Sequence, residues 1–152
     1  MLEAIQAALG RGNSVLATGP TGVGKTVILS EMIRRSAAKG VHADIVVHRE
    51  ELVGQSVAKI RAQTGIEPGV VWQRRREWDR PIRVISHGTV SALDRLPDGV
   101  SGAPLLILDE AHHGSAPGWR RATRRLAPRW LVGFTATPFR HDREPLCPDP
   151  FR

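Results

Sequence analysis

Two kinds of apolar spacing alternate along the chain. Leu2, Ile5 and Leu9 fall on one helical face, and Gly10 with Gly12 ends that helix. Ser14-Val15-Leu16-Ala17 is a short apolar run, within a strand expected over residues 14–18. Over residues 25–38, Ile28/Met32 and Leu29/Ile33 form i,i+4 pairs, which predict an amphipathic helix stopped by Gly40. Ile45-Val46-Val47 reads as a buried strand. A helix is expected from about Glu50, with Val53, Val57 and Ile60 on one face and Gly65 and Pro68 after it. Val70-Val71-Trp72 and Arg83-Val84-Ile85-Ser86 are further strand candidates. Leu105-Leu106-Ile107-Leu108 is unbroken aliphatic sequence, as expected of a strand covered on both faces. Ser115 and Pro117 read as the cap and first turn of a helix. It would turn Trp119, Ala122 and Leu126 inward and Arg120, Arg121, Arg124 and Arg125 outward. Leu131-Val132-Gly133-Phe134 is the last strand candidate. Strands alternating with helices predict an α/β domain, with a mainly parallel sheet and helices on both faces. Such sheets bind ligands at the carboxyl ends of their strands.

Composition narrows the picture only a little. At 152 residues with 41% hydrophobic and 24% charged positions, the chain is expected to form one soluble domain with a real core. No apolar run approaches the roughly 20 residues of a membrane span, and no signal peptide is apparent at the N-terminus. A single cysteine, Cys147, permits no internal disulfide. These features point to the cytoplasm and to no membrane partner. The net charge is +7, and all but three of the 22 basic residues (Lys25, Lys39, Lys59) are arginine. Such a balance suits a polyanion such as DNA or RNA, and it equally fits a genome rich in arginine codons. Arg74-Arg75-Arg76 between Trp72 and Trp78 fits a solvated loop, or a contact in which arginine meets phosphate and tryptophan stacks on bases.

Candidate chemistry begins at Gly19-Pro20-Thr21-Gly22-Val23-Gly24-Lys25-Thr26, which fits the phosphate-binding pattern G-x-x-x-x-G-K-[ST] between a strand and a helix. Gly22 and Gly24 let backbone N–H groups of the loop, including those of Gly19, Thr21 and Val23, face one concavity. The first turn of the helix adds its own N–H groups and the positive end of its dipole. Lys25 is expected to reach the β- and γ-phosphates of ATP, and Thr26 to place its hydroxyl on Mg²⁺. The aliphatic run 105–108 leads directly into Asp109-Glu110-Ala111-His112-His113. Asp109 is placed for the Mg²⁺ shell and Glu110 to orient and deprotonate the attacking water. Adjacent carboxylates are costly to bury unless a cation offsets them. A zinc site on His112 and His113 is disfavoured, because the H-E-x-x-H order and a cysteine cluster are both missing.

Together these stretches resemble the first RecA-like domain of the superfamily II DEAD/DEAH-box helicases and translocases. The match is GPTGVGKT at 19–26, VVHREELVGQ at 46–55, DEAHH at 109–113 and GFTATPFR at 133–140, in family order. DEAHH followed by TATPFR is most similar to the branch of restriction-enzyme translocase subunits and related bacterial and phage DNA helicases. The resemblance implies a RecA-like P-loop NTPase fold over residues 1–140, with 141–152 a tail leading towards a second RecA-like domain. It further implies that His112, Thr135 and Thr137 couple the nucleotide site to motion. Val47 to Gln55 looks like motif Ia, including Arg49 and Gln55. Ser86-His87-Gly88-Thr89 occupies the place of motif Ib. Both would touch the sugar-phosphate backbone of a nucleic acid, DNA more than RNA. His113 fits the branch without a derivable role. Family members carry an adenine-reading glutamine upstream of the phosphate loop, and Gln6, inside the first helix, is a poor substitute for it. The arginine fingers would come from the second domain. The expectation is therefore an ATP-binding motor domain, inactive alone, whose Lys25, Asp109 and Glu110 weigh against a non-catalytic nucleotide-dependent binding module. Half of an RNA helicase is the other alternative.

Overall fold

The computed structural model describes residues 1–19, 24–111 and 117–136. Seven strands form one sheet in the order β1-β7-β6-β2-β5-β3-β4. They are β1 (Ser14–Thr18), β2 (Ala43–Val47), β3 (Gly69–Trp72), β4 (Arg75–Arg76), β5 (Ile82–Ser86), β6 (Leu105–Leu108) and β7 (Trp130–Thr135). Every pairing is parallel except that of β3 with β4, a short hairpin at the sheet edge. The helices are α1 (Leu2–Arg11), α2 (Lys25–Ala38), α3 (Glu51–Thr64), α4 (His87–Ala92) and α5 (Pro117–Leu126).

The period-2 geometry of each strand sends its side chains to two cores. Ile45, Val47, Ile107, Val132 and Phe134 pack beneath Ile5 of α1, Met32 and Ile33 of α2, and Val53 and Ile60 of α3. Val46, Leu106, Leu108 and Leu131 face the other way, against Val90 of α4 and Trp119, Ala122 and Leu126 of α5. Burial on both faces is why 45–47 and 105–108 are aliphatic without interruption. Each such side chain contributes about 1.5–3 kcal/mol. The α/β architecture expected from the alternating spacing is the one found.

Two local outcomes differ from the pattern reading. Arg75 and Arg76 lie in β4 rather than in a loop. Arg75 pairs with Glu77 at 2.8 Å, and the guanidinium of Arg76 donates to the carbonyls of Gln73 and Arg75. Trp72 and Trp78 are half-buried and pack against opposite cores, so they form no open stacking platform. The second difference is α4, six residues that the apolar spacing does not show. Only Val90 of that helix is buried, too little for a periodic signature.

Opposite the carboxyl ends of the strands, an ion pair lies inside the sheet. Asp44 is fully buried and Arg83 nearly so, with Nε–Oδ1 at 2.6 Å and a second guanidinium bond to Oδ2 at 2.9 Å. Two further guanidinium protons go to the carbonyls of Trp78 and Ser101, and Asp44 also accepts from the Ala103 amide. The pair therefore ties the segments around 78 and 101–103 to neighbouring strands β2 and β5. Gly102 belongs to that tie. A Cβ there would stand 1.9 Å from the Leu126 carbonyl oxygen, so only glycine lets the loop pass under α5.

Candidate active site

The order of the sheet places β7 between β1 and β6. Ends far apart in sequence, at residues 18, 108 and 135, therefore lie side by side at the carboxyl edge. At this edge Lys25, Thr26, Asp109 and Glu110 line one cavity of about 280 Å³, with Leu29, Ser30, Ile45, Ser56, Lys59, Ile60 and Phe134 as its remaining walls. The four residues assigned cradle, metal and water roles in the sequence are thus brought together.

On the loop side, Gly24 has φ +76°, a left-handed conformation that favours glycine, and it serves as the N-cap of α2 without any side-chain cap. The first N–H groups of α2 are therefore left to whatever sits in front of them. At the other end of the loop, the Gly19 amide donates to the Thr135 carbonyl at 3.1 Å. Thr135 is fully buried at the end of β7, so the phosphate loop and the TATP segment share a hydrogen bond. Thr21, Gly22 and Val23 lie outside the described residues, as do His112, His113 and Thr137.

On the acidic side, the Asp109 amide extends the β2–β6 ladder by donating to the Val46 carbonyl at 3.3 Å. The chain then turns sharply at Glu110, which has φ +56°, a sparsely populated conformation for a residue with a Cβ. The Glu110 amide donates to Asp109 Oδ1 at 3.1 Å. Burial pushes the Asp109 carboxyl above its ordinary pKa, and the neighbouring Glu110 charge adds to this. The Glu110 amide, Lys25 and Lys59 pull the other way. Two carboxylates in a half-dry cavity beside a lysine, a threonine hydroxyl and a helix N-terminus form a donor set suited to a divalent cation with a polyphosphate. The residues present therefore fit Mg²⁺ and ATP.

The segments matched to motifs Ia and Ib also converge. β2 and β5 are neighbours, with Val47 opposite Ser86, so the residues that follow them emerge together. Arg49 is exposed just before α3, Gln55 is exposed one turn into it, and Thr89 is half-buried on α4. A Cβ on Gly88 would lie 3.7 Å from Glu50, which places the starts of α3 and α4 side by side. Gln6 is elsewhere. Its side chain accepts from Arg35 at 3.2 Å, in a groove shared with Leu105 and Trp130 at the amino ends of β6 and β7.

Some neighbours were not legible beforehand. His87 stacks on Trp119 with centroids 4.5 Å apart, and His48 stands 6.1 Å from the same ring. Burial and then the nearby His48 hold the His87 pKa below its ordinary value. Gly118 makes this stack possible, since a Cβ there would come within 2.9 Å of His87 Nε2. Lys59 and Ser56, from the middle of α3, had no motif to announce them. Among the described residues no group of three or more His, Cys, Asp or Glu could hold a metal ion, and no helix is long and apolar enough to cross a membrane.

The family model "Type III restriction enzyme, res subunit" matches residues 1–140. The chain belongs to this family. A "51.5 kDa protein" of Lactococcus phage (isolate 7-9) is 30% identical over 121 residues, covering 80% of this chain and 24% of that protein. The "DNA 3'-5' translocase XPB2" of Sulfurisphaera tokodaii is 30% identical over 140 residues, covering 92% of this chain and 30% of that protein. Among solved structures, the Pyrococcus furiosus Hef helicase domain superposes with a TM-score of 0.70 at 21% identity, over 90% of this chain and 32% of that one. The Sulfolobus solfataricus SWI2/SNF2 ATPase core in complex with dsDNA does so with 0.72 at 14% identity, over 90% and 30%. These two show the fold. It is that of the first RecA-like domain of superfamily II helicases, as the four motifs imply. The chain spans about a quarter to a third of the length of the family relatives it matches.

Proposed function

We propose that this chain is the ATP-binding motor domain of a DNA helicase or translocase, coupling ATP hydrolysis to movement on, or unwinding of, nucleic acid. The observation that carries the reading is the single cavity lined by Lys25, Thr26, Asp109 and Glu110, with Thr135 on the strand between the two halves of the site. Residues 1–140 are the motor half, and 141–152 lead towards a second RecA-like domain. The cytoplasm is the compartment in which such a domain works.

The roles follow the motif assignments. Backbone N–H groups of Thr21, Gly22, Val23, Gly24, Lys25 and Thr26 cradle the phosphates, with Gly19, whose own amide is taken by the Thr135 carbonyl, opening the loop, and the Lys25 ammonium meets the β- and γ-phosphates. Thr26 and Asp109 hold Mg²⁺, which when bound neutralises charge developing on the phosphate oxygens. Glu110 orients the attacking water and takes its proton on a carboxylate oxygen. The bond from the Gly19 amide to the Thr135 carbonyl supports a coupling role for Thr135, with Thr137 and His112 as its partners. Arg49, Gln55 and Thr89 contact the nucleic-acid backbone, and the names of the translocase relative and of the DNA-bound core favour DNA over RNA.

Titration calorimetry of residues 1–152 with Mg-ATP and Mg-ADP tests the nucleotide half. Lys25→Ala is expected to weaken binding of both by at least about tenfold, the equivalent of one lost charged hydrogen bond. Affinity unchanged in that variant would remove Lys25 from the site.

The nucleic-acid half is read from salt dependence. Binding should fall steeply as salt rises and show little base preference. Arg49→Ala should lower affinity similarly across sequences and reduce the salt slope by about one. Binding that ignores salt would count against backbone contact.

A further inference from the structure

Lys59 is one of only three lysines against nineteen arginines among the 22 basic residues, and two of the three, Lys25 and Lys59, line the same cavity. A lysine ammonium is a compact point charge that serves phosphate well, whereas the arginine fork is built for bidentate pairing. Lys59 reaches the cavity from α3, whose start carries the motif Ia segment. Its helical neighbours at three and four residues' distance are Gln55, Ser56, Ala62 and Gln63, so no acid on α3 lies within local reach. Among the described residues it forms no ion pair. The carboxylates that line the cavity with it are Asp109 and Glu110.

The seam between α2 and α3 explains how this side chain comes to face the cavity. Low in the seam, Ser30 donates its hydroxyl proton to the Gln63 amide oxygen and pins the two helices together. Lys25, Thr26 and Leu29 form one wall, Ser56 and Lys59 the other, and Ile45 the floor. The face of α3 that holds Val53 and Ile60 against the sheet prevents the helix from rolling Lys59 away.

We infer that Lys59 is a second phosphate-reading cation, which balances the Asp109/Glu110 pair before nucleotide enters and turns to the terminal phosphate of a bound triphosphate. Because Lys59 and Gln55 lie on one helix, with Arg49 just before its start, reading the terminal phosphate also shifts the nucleic-acid contact. Helix α3 is then the lever that ties nucleotide state to grip on DNA. This rests on the ATP-site reading above.

The test uses residues 1–152 with Mg-ADP and a non-hydrolysed Mg-ATP analogue. The wild-type chain should prefer the triphosphate. Lys59→Ala should lose on the order of tenfold in affinity for it while binding the diphosphate unchanged, as removal of one charged phosphate contact predicts. Lys59→Arg, which keeps the charge, should retain most of the preference. Lys39→Ala, which removes one exposed positive charge at the opposite end of the sheet, should leave both affinities alone. The second readout is a fluorescent oligonucleotide titrated with and without the analogue. Its affinity should respond to the analogue in the wild type and lose that response in Lys59→Ala. Lys59→Ala that keeps the triphosphate preference, or that weakens both nucleotides equally, overturns the inference while leaving Lys25 and the ATP site standing. A wild-type chain that binds neither nucleotide overturns the ATP-site reading itself.

Discussion

Residues 1–152 alone should hydrolyse bound ATP at a rate close to background, with or without DNA. Phosphoryl transfer of this kind depends on positioning and on stabilising charge at the terminal phosphate, with little covalent help from the protein. The cavity holds Lys25, Thr26, Asp109 and Glu110, proposed above for phosphate, metal and water, and among the described residues the cations that line it are Lys25 and Lys59. Among the described residues no arginine lines it. An arginine brought to the terminal phosphate contributes about 10³–10⁵-fold in related phosphoryl-transfer enzymes. Single-turnover hydrolysis measured by product quench should show that deficit. A longer polypeptide, continuing into the remaining length that its relatives have, should recover the rate, and Glu110→Gln should then remove it. Rapid DNA-stimulated turnover by residues 1–152 would mean that no outside arginine is required.

The second large effect is on stability, and it lies at the opposite end of the sheet. Asp44→Ala or Arg83→Ala alone should cost about 3–5 kcal/mol, because each leaves its partner charged, buried and unsatisfied. That is a large share of the 5–15 kcal/mol typical of a whole domain. The surface pairs Arg61–Glu67 and Arg95–Asp98 are exposed and should contribute little, since solvent screens them. Urea unfolding followed by circular dichroism measures the difference. The double variant Asp44→Leu/Arg83→Met should recover much of the loss, because apolar residues of similar volume leave no orphaned charge. If either single variant unfolds with the wild-type midpoint, the buried pair is not what holds the loop around Ser101 in place.

The motifs were legible because their chemistry is local. A phosphate loop needs its glycines, lysine and threonine in one short run, and the acidic pair must follow directly from a buried strand. Gly24 at φ +76° is where that local demand meets the backbone. The doubly covered strands were equally plain, since burial on both faces writes itself as Leu105-Leu106-Ile107-Leu108. Helix α4 was not legible, because one buried valine in six residues makes no period. Nor was the pairing of Asp44 with Arg83, 39 positions apart, which depends on β2 and β5 being neighbours with those two residues in register.

Amino-acid order alone determined six of the seven strands, the phosphate loop, the acidic pair and the order of the motifs, because each rests on residues within one element. Tertiary structure decided what stands next to what. Insertion of β7 between β1 and β6 gives Thr135 its bond to Gly19, and the sharp turn at Glu110 follows the end of the β2–β6 ladder. The seam between α2 and α3 turns Lys59 towards the carboxylates, a neighbour that no spacing along α3 could announce. Sequence spacing reports contacts within a strand or a helix, whereas a parallel sheet joins elements through long crossovers that leave no period in the chain.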